Sequence, residues 1–450
     1  MAFFLPFSGH ALSSQTTANQ IQGNAPYLTF DGGRTRVVDT NGLLGITLSD
    51  GTRYTPSTNS SSSSRPIVLP VVGQSFADIS MLVPTDTNSV DLSSLIGPPN
   101  NYWGDDDGDS GVTATGSLSL SIVDKNNRPV SRDTVLTTCT DSAPYKVTLS
   151  STDGTLSTRY GFPNRSTFSA RSETYYVNPK ASPVVCFARP NLMFGKRGDD
   201  RYNPSFDFAG PASMWDPRNG FIPQSTGPSS YGRNFPTTGG NGLYFDLLIS
   251  GVSQPLSWSR VSRGRITATM TNSTATRVRV TLTGPYAGTD RHNADNPGRL
   301  TKPTLPQTFE LVGRDNNGTP VVRYGFTLKQ WFVHRSSKGG NYSNTLSWCS
   351  RLGYRLVKVK DLTNAVRTDV VVPSAPPFSP GNHYMRHIDA GFLAEWGDPD
   401  YYQPNVGFFD LWYWTSDHNG SHPFEVLTGR GTVGWTSPDH TIVFGLCVYP

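Results

Sequence analysis

Residues 118–130 read LSLSIVDKNNRPV, and residues 308–321 read TFELVGRDNNGTPV. Each stretch alternates apolar and polar side chains, reaches an Asp, turns on Asn-Asn and resumes at Pro-Val. That is the pattern of two strands joined by a tight hairpin. Working outward, the same period-two alternation runs through YKVTLSSTDGTLSTRY (145–160), LYFDLLISG (243–251), RITATM (265–270) and RVRVTLTG (277–284). Asp-Gly and Asn-rich turns punctuate these runs, so β-sandwich packing is expected through the first three-quarters of the chain. The repeated hairpin fits equivalent positions in two sandwiches, and convergent turn chemistry explains it almost as well.

Composition agrees with a mainly β chain. Gly 44 and Pro 35 make about 18% of the 450 residues, against roughly 12% in ordinary proteins. The sequence holds 30 Asp but 4 Glu, and 29 Arg but 9 Lys, so surface helix formers are scarce and turn formers abundant. A formal charge of +4 lacks the basic excess of a dedicated nucleic-acid binder. No run of 18 apolar residues occurs, so no membrane-spanning helix is expected. The tract STNSSSSS at 57–64 reads as a mobile loop or linker. Residues 1–23 hold a short apolar stretch followed by small residues, which reads as a signal-peptide remnant or a disordered N-terminus.

From Phe326 the pattern changes. In TLSWCSRLGYRLVKVKDLTNA (345–365), Leu346, Cys349, Leu352 and Leu356 fall at helical spacing with Gly353 placed as a stop. Asp361 or Thr363 is a candidate cap for a second short helix. The rest is aromatic and turn-rich, ending in the strand TIVFGLCVYP. The four cysteines, Cys139, Cys186, Cys349 and Cys447, have no metal-type spacing and suit two structural disulfides in an exported protein. Three connectivities are possible, and Cys139–Cys186 with Cys349–Cys447 is favoured because each pair lies within one compositional segment.

WCSRLGYRL, DLTNA, WYWTSD and FGLCVYP together resemble the C-type-lectin-like tip of intimin/invasin-type bacterial adhesins, a group of inverse autotransporters. Upstream, APYLTFDGG through LIGPPNNYWGDDDGDSG and TFELVGRD resemble their adhesion region, so the likeness spans roughly residues 24 to 450. The resemblance implies immunoglobulin-like β-sandwich segments followed by an α+β C-type-lectin-like domain. On that basis residues 24–190 form one sandwich-like domain, 191–325 a second β-rich domain and 326–450 the adhesion domain. It also implies a virulence-type protein that is secreted or held on the bacterial surface and binds a host cell-surface protein or glycan without catalysis. No cofactor and no nucleic acid enter this reading. No train of ~10-residue strands of an outer-membrane barrel is seen, so a separate translocator is implied. The rival readings are an extracellular carbohydrate-active enzyme and a diffusible secreted effector that binds a partner surface protein.

Several groups of residues are candidates for a site. Trp396, Asp398, Asp400, Tyr401 and Tyr402 in AEWGDPDYYQP form an aromatic and acidic loop suited to receptor contact. Arg197-Gly198-Asp199 is the tripeptide that integrins read, in a polar loop. Asp105, Asp107 and Asp109 have the one-three-five spacing of a calcium loop, but Gly116 stands where the twelfth-position Glu belongs. Gln403-Pro404-Asn405 is similar to the sugar-holding tripeptides of calcium-dependent lectins, yet the later Trp-Asn-Asp partner is missing. His383 with His387 and His418 with His422 stand at i, i+4, but Gly and Pro nearby oppose the helix that zinc binding would need. No catalytic motif of the HExxH or GxSxG type is present.

Overall fold

The structure is a computed structural model that describes residues 23–140, 142–402 and 406–450. The signal-like stretch up to residue 22 and the tripeptide Gln403-Pro404-Asn405 lie outside the described residues. The chain is mainly β and divides into two compact units, Met1–Ala181 and Ser182–Pro450. The strand Val184–Arg189, which carries Cys186, therefore belongs to the second unit.

In the first unit a five-stranded sheet runs in the order 67–68, 171–178, 145–151, 117–123, 89–91. The alternation predicted from LSLSIV holds in space: Leu118, Leu120 and Ile122 are buried while Ser119 and Ser121 face solvent. Register places Leu120 opposite Leu149 and Ile122 opposite Val147, so their side chains form one apolar face. A three-stranded sheet adds Leu156 and Phe168 to the same core. The serine-rich tract is held in place, contrary to the expectation of a mobile linker. Asn59 donates from Nδ2 to the carbonyl of Thr174 (2.9 Å), and Ser61 Oγ accepts the N–H of Tyr176 (3.0 Å). Its short polar side chains thus satisfy the edge of the strand Arg171–Asn178, a task for which apolar residues would be useless.

The second unit begins with a sandwich. One sheet has the order 215–216, 220–221, 184–189, 244–250, 277–283, 266–271, 261–263, and the other 257–258, 307–314, 320–328. The two hairpins found in sequence close with the same hydrogen bonds. Asp124 Oδ1 accepts the N–H groups of Asn126 and Arg128 (2.8 and 2.9 Å), and Asp315 Oδ1 those of Asn317 and Thr319 (both 2.9 Å). The third residue after each Asp has positive φ: Asn127 at 61° and Gly318 at 78°.

The strand Pro320–Leu328 passes through Lys329 straight into Gln330–Gly340, the second strand of the C-terminal sheet. That sheet has the order 238–240, 330–340, 443–449, 412–419, 422–427, 432–435, with 355–356 pairing on 443–449. Its first strand, Thr238–Gly240, comes from the sequence of the sandwich and runs parallel to Gln330–Phe332. Phe245, Leu247 and Phe326 of the sandwich and Trp331, Trp348 and Trp414 of the C-terminal part belong to one hydrophobic core. Residues 191–325 and 326–450 are consequently halves of one packed body.

The helix Tyr342–Leu352 is capped by Asn341, whose Oδ1 accepts the N–H of Asn344 (2.9 Å), and ends on Gly353 at φ 85°. Its buried side is Thr345, Trp348, Cys349 and Leu352, with Leu346 exposed and Leu356 beyond its end in a short strand. The second helix, Val359–Leu362, starts before the predicted caps. Asp361 sits within it, its carboxylate accepting the N–H of Lys358 (2.7 Å), and Thr363 follows its last residue. Cys349 and Cys447 form a disulfide, and among the described residues no cysteine is free.

Candidate binding surface

The loop singled out from sequence splits into a buried part and an exposed part. Trp396 is fully buried at the end of the helix Phe392–Trp396, with its ring 4.9 Å from Phe235 and its Nε1 donating to the carbonyl of Thr238 (3.0 Å). Tyr402 is buried too: its hydroxyl donates to the carbonyl of Trp396 (3.0 Å) and accepts the N–H of Asn191 (2.9 Å). These rings hold the C-terminal part against the sandwich, so they are unavailable to a receptor. An aromatic loop rich in Asp and Pro reads as exposed in sequence because nothing local reveals the cavity that a sandwich offers it.

Beside them lie two charges that sequence reasoning missed. Glu395, fully buried, accepts hydrogen bonds from the N–H and hydroxyl groups of both Thr237 and Thr238 and from the N–H of Asp389 (2.6 to 3.0 Å). Arg386, also fully buried, donates to the carbonyls of Asn191 (2.8 Å), Met193 (2.7 Å), Phe194 (3.2 Å) and Glu395 (3.1 Å) and lies over the ring of Trp215. The rarity of Glu in this chain was the available signal for Glu395. For Arg386 no local pattern existed.

Asp398 is 4% exposed. Burial, with Asp410 and Asp400 nearby, pushes its carboxyl up to about 7. Its Oδ1 accepts the N–H of Asp400 (3.0 Å), fixing the turn that presents what remains outside. There Tyr401 is 50% exposed, and Asp400 and Asp410 are exposed with it. Burial and these carboxylates raise the Tyr401 phenol above its ordinary value, so it stays protonated as a hydrogen-bond donor. Asp410 is anchored through Oδ1 to the N–H of Gly429 (2.7 Å). The result is an acidic edge with one aromatic ring, mounted on buried residues.

The other candidates take structural roles. In Arg197-Gly198-Asp199 the Asp carboxylate turns back: Oδ2 accepts the N–H groups of Gly195 (2.8 Å) and Lys196 (3.1 Å), and the side chain is 15% exposed. The loop is docked by a 2.5 Å ion pair between Asp200 and Arg430 and by Phe206 stacked on His383 at 4.2 Å. Asp105 Oδ1 accepts the N–H groups of Asp107 (2.8 Å) and Asp109 (3.4 Å), and Asp107 Oδ2 accepts that of Asn24 (2.7 Å), an Asx turn rather than a cage of free carboxylates. Among the described residues no group of three or more His, Cys, Asp or Glu side chains is placed to hold a metal. His418 and His422 lie on two paired strands, and His383 is buried. No helix among the described residues is long and apolar enough to cross a membrane. Glu425, half-buried and opposite Trp414 in the strand register, was also missed. Burial pushes its carboxyl up to about 7.

No protein-family model matches the chain, and no curated protein matches it. Among solved structures the chain is similar to bacterial adhesins. Over 78% of its length it matches invasin, a bacterial integrin-binding protein, at 12% identity and a TM-score of 0.35, and it spans about half (53%) of that structure. Over 76% it matches the C-terminal 282-residue fragment of intimin in complex with the translocated intimin receptor (Tir) intimin-binding domain, at 10% identity and a TM-score of 0.33, covering 100% of the fragment. An EHEC O157:H7 intimin mutant is matched over 49% of the chain and 93% of its own length, at 13% identity and a TM-score of 0.28.

Proposed function

We propose that this chain is an exported adhesin-type protein that binds a host cell-surface protein or glycan through the edge formed by Asp400, Tyr401 and Asp410, without catalysis. The observation that carries the reading is the exposed Tyr401 ring between carboxylates, set on residues that are buried and hydrogen-bonded. A rigid aromatic anchor loses little entropy on binding, and flanking carboxylates select a partner with basic or hydrogen-bond-donating groups. In this reading residues 326–450 are a C-type-lectin-like tip carried by immunoglobulin-like segments, held on the cell surface or released. The sequence resemblance and the disulfide-closed C-terminal part support export.

Cell binding by the full chain tests it. Tyr401→Ala and the pair Asp400→Asn with Asp410→Asn are each expected to weaken binding to cultured host cells about tenfold or more, since one hot-spot residue contributes about 1.4 kcal/mol or above. Arg197→Ala is expected to leave binding unchanged. Full binding by the Tyr401 and double Asp variants would remove this edge as the contact surface.

A further inference from the structure

The strand Gln330–Gly340 breaks its pairing with Val443–Tyr449 between His334 and Gly339, and four residues bulge from the ladder. Ser336, in that bulge, has φ 50°, an uncommon conformation for a residue other than Gly. The bulge and the short helix Thr289–Asn293 line a cavity of about 160 Å³. Facing it are Thr289, His292, Arg335, Ser336, Ser337 and Lys338, and among the described residues no carboxylate lines it.

The cations there are poorly neutralised. Arg335 is 3% exposed, lies over the ring of Trp348, and donates from Nε to the carbonyl of His292 (3.0 Å) and from Nη2 to that of Ala294 (3.5 Å). Its Nη1 donates to no described residue. The nearest carboxylate, Asp295, is 3.9 Å away and 98% exposed, so water screens it. Burial and the neighbouring Arg335 lower the His292 ring below its ordinary value, so it adds no charge to the cavity. A buried guanidinium with an unused donor, an exposed ammonium and hydroxyls on the same cavity lack one thing, a ligand supplying negative oxygens.

We propose that this cavity is an oxyanion-binding site that takes a tetrahedral sulfate or phosphate group. A tetrahedral oxyanion offers three or more acceptors at once, matching the fork of Arg335, the Lys338 ammonium and the serine hydroxyls. This site uses none of the residues of the Asp400–Asp410 edge.

Isothermal titration of the full chain at constant ionic strength, set with chloride, decides it. The probes are inorganic sulfate, inorganic phosphate, a sulfated disaccharide and the same disaccharide without sulfate. Saturable binding of sulfate or phosphate is expected, and none of the unsulfated disaccharide. Lys338→Ala, an exposed position that leaves the core intact, is expected to weaken it about tenfold, and Arg335→Gln to abolish it. Tighter binding of the sulfated disaccharide than of either free ion would support the site with a sulfate ester as its source, and the reverse order would support it with the free ion. No saturable heat from any anion, or equal affinity in wild type, Lys338→Ala and Arg335→Gln, would overturn the site itself. Loss of cell binding in the Tyr401 variant with sulfate affinity intact would separate this site from the receptor edge.

Discussion

Asp398 and Glu395, three residues apart, are both pushed up by burial, but their surroundings differ. Glu395 meets N–H and hydroxyl donors on every side. Replacing it by Gln turns one acceptor oxygen into a donor that faces other donors, so Glu395→Gln is expected to destabilise the second unit by about 2–4 kcal/mol in urea unfolding. A cost below about 0.5 kcal/mol would show that the cluster contributes little. Asp398 instead has one backbone hydrogen bond, too little to offset burial and two neighbouring carboxylates, so its folded value of about 7 lies above the roughly 3.9 of an unfolded chain. The native state then binds the extra proton: the stability Asp398 contributes is complete below about pH 4 and is lost as pH rises through about 7. Asp398→Asn removes that titration while keeping an acceptor for the Asp400 N–H. The variant should gain on the wild type between pH 5 and pH 8, by about 1.4 kcal/mol for every tenfold difference in proton affinity between the folded and unfolded chains. Parallel pH profiles of the two proteins would rule the effect out.

Elements were legible in sequence where their cause is local. The Asp-Asn-Asn hairpins form because one Asp carboxylate gathers two backbone N–H groups, and those residues are visible in the chain itself. The stop at Gly353 was legible for the same reason, as was Cys349 on the buried side of its helix. The start of that helix was not, because Asn341 acts as a cap only once its side chain folds onto Asn344 N–H. Asn341→Ala is expected to cost about 1 kcal/mol, read as a lower unfolding midpoint with unchanged denaturant slope, and Asn341→Asp should restore most of it. What could not be read locally is which rings are plugs. Trp396 and Tyr401 look alike in AEWGDPDYYQP, but the first meets Phe235 and Phe245, far away in sequence, and the second meets solvent. Of the loop proposed from sequence, Asp400 and Tyr401 remain at the surface. Asp410 joins them from another strand's approach, a convergence that no spacing rule encodes.

Within the second unit, the sharing of one core between residues 191–325 and 326–450 decides how it unfolds. The strand Thr238–Gly240 belongs to the C-terminal sheet, Trp396 plugs the sandwich, and Glu395 is satisfied by Thr237 and Thr238. Cutting the chain at residue 326 would strip the sheet of an edge strand, expose Trp396 and take from Glu395 the Thr237 and Thr238 donors, together a loss of several kcal/mol against a stability of about 5–15. A fragment of residues 326–450 is therefore expected to lack cooperative unfolding, whereas residues 182–450 should unfold in a single calorimetric transition. The disulfide adds to that unit without defining it. Cys349–Cys447 closes a separation of 98 residues, for which loop-closure entropy allows up to about 4.7 kcal/mol. Cys349→Ala with Cys447→Ala should lower the midpoint of residues 182–450 yet keep one transition, because the aromatic core still couples both halves. Two resolved transitions in the oxidised fragment, or a well-folded 326–450 fragment, would mean that the shared core contributes too little to join them.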